Sequence, residues 1–152
     1  MLKTIKEFFE QNISTEAQED NDHRLKLATA ALLIEMMKQD GKTRDEEVVA
    51  LKNALQSKFA LSETETHELI ELASEEARQA VDFYQFTSLI HKHFPPERKI
   101  KIIEYLWTIA YADNHLDAHE EHLVRRIADL LYISHKDLMQ TKHKVQKQLG
   151  AE

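Results

Sequence analysis

The chain has 152 residues, 42% hydrophobic and 31% charged, a composition that suits a soluble globular domain with a real core and excludes a disordered chain. Its formal net charge of −7, from 27 acidic and 20 basic residues, argues against phosphate-driven nucleic-acid binding and favours cations or basic partners. The absence of cysteine excludes disulfides, thiolate–zinc sites and cysteine nucleophiles, and only two glycines and two prolines leave few turns, so long helices are expected.

Leu2, Ile5, Phe8 and Phe9 share one face of a short amphipathic helix. It can cover a helical bundle or, as the sharper alternative, rest on a membrane surface. A polar, acidic linker follows, so residues 1–22 form an N-terminal helix and linker. No signal-peptide pattern and no run of about 20 apolar residues is present, which makes a cytoplasmic protein the expectation.

From residue 23 to 39 the chain is apolar over most of its helical surface, as a central helix requires. Glu35, the one acid inside that run, reads as part of an exposed stripe with Arg24 and Lys38. Gly41 supplies a left-handed stop, and Thr43 with Glu46 has capping-box spacing for a helix carrying Val48, Leu51 and Leu55. Ser62 with Glu65 repeats the capping box ahead of Leu69, Leu72 and Ala73. Asp82 is placed to cap a short helix with Phe83, Phe86, Leu89 and Ile90 on one face. Pro95-Pro96 ends it and opens the next, because proline fits a first turn but not a helix interior. Trp107 on that helix reads as a core anchor. Leu123, Val124, Ile127 and Leu131 form the apolar face of another helix, and Ser134 with Asp137 starts the last, where Ile133 and Leu138 have the spacing of a hydrophobic staple.

An internal repeat is visible at an offset of 73 residues, which aligns Leu33 with Leu106, Asp40 with Asp113, Gly41 with Asn114 and Glu47 with Glu120. Phe59-Ala60-Leu61-Ser62 matches Leu131-Tyr132-Ile133-Ser134 after a slip of one residue. The expected architecture is an all-α bundle of two pseudo-repeated units, about residues 23–80 and 96–148, sharing one core within a domain over 23–148.

Each unit turns a corner rich in acids. Asp117 and Glu120 are explained by helix capping and the macrodipole alone. Asp113 is not, because a carboxylate at a helix C-terminus meets a negative partial charge. Acids forced together at such a corner repel unless a cation relieves them. A divalent ion held by oxygens is one solution; internal salt bridges, with Arg125 and Arg126 close by in sequence, are the other. The spacing is not that of a calcium-binding EF-hand loop. Arg44 stands in the first corner where Asp117 stands in the second. His115, His119 and His122 read as solvent-facing, since HEEH is not a zinc motif and no Glu-x-x-His occurs. No nucleophile, phosphate loop or nucleotide motif accompanies the acids, so an enzyme is not expected.

The stretch WTIAYADNHLDAHEEHLVRRIADLL, residues 107–131, led by DFYQFTSLIHKHFPPERKIKIIEYL and faintly matched by the corner at 40–47, resembles the tellurite-resistance TerB-like family. The resemblance spans about residues 23–145. It implies about seven helices in duplicated units, and it implies Asp40, Glu47, Asp113, Asp117 and Glu120 as ligands of a divalent cation of unspecified identity. The usual Ala-Asp-Gly of the family is Gln39-Asp40-Gly41 and Ala112-Asp113-Asn114 here. The expectation is therefore a non-enzymatic, stress-associated module that binds metal and a protein partner, with no nucleic acid, no transmembrane segment and peripheral membrane contact left open. A metal-free helical scaffold is the alternative.

Overall fold

A computed structural model describes residues 4–13, 21–41, 44–79, 84–111 and 118–150. Its described elements are all helical. A single turn, α1 (Ile5–Phe8), runs into a π-helical turn, Phe9–Ile13. Then come α2 (Asn21–Asp40), α3 (Asp45–Phe59), α4 (Glu63–Arg78), α5 (Gln85–His93), α6 (Pro96–Ala110), α7 (Ala118–Leu130) and α8 (His135–Leu149). Seven helices from α2 onward match the expected bundle.

The N-terminal segment covers the bundle. Ile5, Phe8, Phe9 and Ile13 are buried, and Phe8 meets Phe86 of α5 edge-on at 6.2 Å between centroids. An apolar face committed to α5 in this way is not offered to a membrane surface. Thr4 and Glu7 close a capping box around the first turn.

The local signals that end and start helices act where the residue types require them. Gly41 takes φ +72° after α2. Ser62 Oγ accepts the Glu65 N–H at 3.0 Å while Glu65 accepts the Ser62 N–H at 2.8 Å. Pro96 opens α6, and Ser134 Oγ accepts the Asp137 N–H. One cap falls a residue later than the Thr43–Glu46 spacing predicts. Arg44 occupies the N-cap position of α3, and its N–H donates to Glu47 Oε1 at 3.1 Å. An exposed Ser62→Ala substitution is expected to cost about 1 kcal/mol, measurable by urea unfolding.

Two features carry the repeat into three dimensions. Ala60 after α3 and Tyr132 after α7 are both left-handed, at φ 57° and 59°, and each is followed two residues on by the serine that caps the next helix. The two units are also packed reciprocally: α2 lies against α4 and α6 against α8, α2 and α6 meet at the centre, α3 packs on α6 and α7 packs on α2. The second helix of each corner thus crosses onto the first helix of the other unit. Leu27, Leu32, Met36, Leu55, Leu69, Ile102, Leu106, Trp107 and Ile127 fill the shared core. Trp107 is its anchor, fully buried with Nε1 donating to the Leu138 carbonyl of α8 at 3.2 Å.

Glu35 overturns its reading as part of an exposed stripe, for it is fully buried. Tyr84 at the N-cap of α5 supplies no side-chain cap, and Asp82, expected to do so, lies outside the described residues. The α5 N–H groups turn instead to acids from two other helices. Phe86 N–H donates to Glu35 Oε2 at 2.9 Å, and Thr87 N–H and Oγ–H donate to Glu35 Oε1 at 3.0 and 2.8 Å. Gln85 N–H donates to Glu76 Oε2 at 2.9 Å, and Gln39 Nε2 donates to Glu76 Oε1 at 3.2 Å. A capping function normally supplied by one local side chain is here divided between α2 and α4.

Candidate metal centre

The reciprocal packing decides what the two corners can do. Asp40 ends α2, and the first turn of α7 carries His119 and Glu120. Because α7 packs on α2, His119 Nε2 lies 3.7 Å from Asp40 Oδ2, so the end of one unit's first helix meets the start of the other unit's second. At that distance the contact is electrostatic when the imidazole is charged and is not a hydrogen bond. His119 is thus half-buried against an acid, with 27% of its side chain exposed, rather than solvent-facing as its spacing suggested. His122 on the same helix is exposed.

Asp40 itself is only 18% exposed. Its Oδ2 is buried without a hydrogen-bond partner among the described residues. Oxygen atoms in that condition are uncommon in folded proteins, because an unmatched buried acceptor retains its desolvation cost.

Glu47, one turn into α3, belongs to the same neighbourhood. The Arg44 N–H, followed by the Arg44 side chain and the charge of His119, holds its carboxyl below the usual glutamate range against an opposing burial effect. The Arg44 guanidinium lies 3.4 Å from Glu47 Oε1. One oxygen of Glu47 is therefore committed to the cap. Glu120 lies on the wall of an open groove of about 420 Å³ formed with Ala50, Leu51, Ala54 and Ile109, on the α3 side of the α7 start.

Of the five acids expected to form the site, Asp40 and Glu47 both lie near His119, Glu120 lines the groove along α3, and Asp113 and Asp117 lie outside the described residues, as do Asn114 and His115. Among the described residues no group of three acids or histidines is close enough to hold a metal ion by itself. Arg125 and Arg126 do not neutralise the described acids of the corner: Arg125 pairs with Glu121 at 3.3 Å, and Arg126 donates to the Tyr84 hydroxyl at 2.9 Å.

Sequence spacing missed two polar groupings. Burial, followed by the hydrogen bond and charge of Glu76, pushes the Glu35 carboxyl well above the usual range. The pair braces α5, and Glu76 also accepts from Gln39, the residue before Asp40. The second grouping, Lys99 with His91, lies on α6 and α5. Both could have been sought by asking which polar residues occupy otherwise apolar helical faces.

No described helix is long and apolar enough to cross a membrane. A family model described as Tellurite resistance protein TerB matches residues 26–143. No curated protein and no solved structure matches the chain significantly.

Proposed function

Because the chain belongs to the tellurite resistance protein TerB family, we propose that it is a non-enzymatic module whose acidic corners hold a divalent cation and couple it to a protein partner. The residues that would hold the ion are Asp40, Glu47, Asp113, Asp117 and Glu120. What supports this most is the buried, unmatched Oδ2 of Asp40. A carboxylate oxygen withdrawn from water and given no donor among the described residues is costly, and a hard cation with oxygen ligands offsets that cost directly. The reciprocal packing adds a reason for the duplication: one corner alone offers few oxygens, and two corners brought together would offer more.

A metal-free scaffold for a protein partner is the second reading, and two contacts favour it. His119 can neutralise Asp40 when protonated, and Arg44 already serves Glu47. Under that reading Asp117→Ala costs about 1 kcal/mol whether or not a chelator is present.

Thermal unfolding of chelator-treated protein, repeated with calcium, magnesium, manganese or zinc, separates the two. Binding to the folded state must raise its stability, by about 2.7 kcal/mol at one hundred times the dissociation constant. The metal reading predicts such a rise with at least one ion and its loss in Asp40→Asn. No rise with any ion, together with an Asp40→Asn variant as stable as the parent, leaves the scaffold.

A further inference from the structure

At the far end of α7, about 18 Å along the helix from His119, lies a cluster of opposite character. Lys99 is only 8% exposed, yet it has no carboxylate partner among the described residues. Its Nζ lies 2.7 Å from His91 Nδ1. An ammonium can only donate, so Nδ1 accepts and the His91 proton sits on Nε2. The Tyr132 ring lies against His91 with centroids 4.8 Å apart.

Tyr132 is an expensive residue for its place. It stands at φ 59°, where a bulky side chain is disfavoured and glycine is the usual choice. The equivalent position of the first unit holds Ala60. The fold needs only a left-handed residue there: the Tyr132 N–H reaches the Asp129 carbonyl and the Ile133 N–H reaches that of Ala128, contacts that glycine would make equally well. The ring is 80% exposed, so core packing does not account for it. What it does touch is His91.

We propose that Lys99, His91 and Tyr132 form a binding site for a soluble phosphate-class oxyanion. The groups available to a ligand are the remaining Lys99 N–H bonds, the His91 Nε2–H and the Tyr132 hydroxyl, a set dominated by donors and carrying a positive charge that no described acid neutralises. Glu97 and Asp129, the acids nearest in sequence, are exposed and make no ion pair with Lys99 or His91 among the described residues. Burial alone lowers the affinity of Lys99 for its proton, and a bound anion would reverse that effect. The Tyr132 ring packs against the imidazole at an interplanar angle of 47°. In a chain of net charge −7, the cluster is a local exception to the overall field.

The test is a titration of the full chain with inorganic phosphate at constant ionic strength, following the His91 imidazole signals by NMR. Saturable shifts at His91 are expected. Lys99→Met, which keeps the buried stem, should weaken binding at least tenfold. Tyr132→Gly should weaken it several-fold while raising the thermal midpoint, an opposition that a merely structural tyrosine would not produce. If Lys99→Met fails to fold, His91→Asn serves in its place with the same expected loss. Shifts reproduced by chloride at equal ionic strength, or retained in the Lys99 or His91 variant, would overturn the site. So would sedimentation with phosphatidic-acid vesicles in a protein that shows no response to free phosphate.

Discussion

Replacing Glu35 by alanine is expected to destabilise the fold by about 3 kcal/mol or more, because truncating one partner of a buried polar network leaves the others unmatched. The Phe86 N–H, the Thr87 N–H and the Thr87 hydroxyl all lose their acceptor at once. No water replaces it readily at a site with no exposed surface. The same pair predicts a pH dependence of defined sign. The Glu35 carboxyl is raised in the folded state by burial and by Glu76, so the fold binds a proton that the unfolded chain releases. Its contribution is complete below the ordinary glutamate value of 4.5 and is lost as pH rises through the folded value. Glu35 faces Glu76 from α4; Gln85, Phe86 and Thr87 on α5 carry no charge, and Glu75 on α4 is paired with Arg78. Glu76→Gln removes the neighbouring charge that helps raise Glu35 and should flatten this dependence, gaining on the parent as pH rises. Urea unfolding at pH 5, 7 and 9 reads both effects. A Glu35→Ala cost below 1 kcal/mol, or an unchanged slope in Glu76→Gln, would contradict the account.

Trp107→Ala should cost about 3–5 kcal/mol, the range for deleting a large buried aromatic and leaving a cavity. The indole is fully enclosed between α6 and α8, lies 6.4 Å from the Tyr111 ring, and has Lys142 Nζ 5.5 Å from its centroid. Its N–H also ties α6 to the first turn of α8. Trp107→Phe keeps much of the apolar contact and should cost clearly less, since the Leu138 carbonyl still accepts from Thr141 Oγ. Equal losses for the two variants would mean that the hydrogen bond, not the volume, carries the anchor.

The fold was largely legible because its punctuation is local. Gly41, Pro96, Ser62 and Ser134 act within a turn of themselves, and apolar spacing reports the buried face of each helix without knowledge of its partner. The repeat was legible for the same reason, down to the matched left-handed positions at 60 and 132. What escaped depends on contacts distant in sequence. Glu35 has the spacing of an exposed acid beside Arg24 and Lys38, and only the N-terminus of α5, some 50 residues on, explains its burial. Glu76 is hidden for the same reason. The α3 cap moved from Thr43 to Arg44 because Glu47, rather than Glu46, reaches back to the free N–H. His119 is half-buried because α7 crosses to the other unit, a placement no helical wheel of α7 contains. The meeting of the end of α2 with the start of α7 is the most consequential of these, since it brings His119 beside Asp40.

Native mass spectrometry of protein never exposed to chelator addresses that candidate site most directly. The account predicts one divalent ion per chain in the parent and none in Asp40→Asn, with both proteins folded. A metal-free mass for the parent, or an ion retained by the variant, would contradict it.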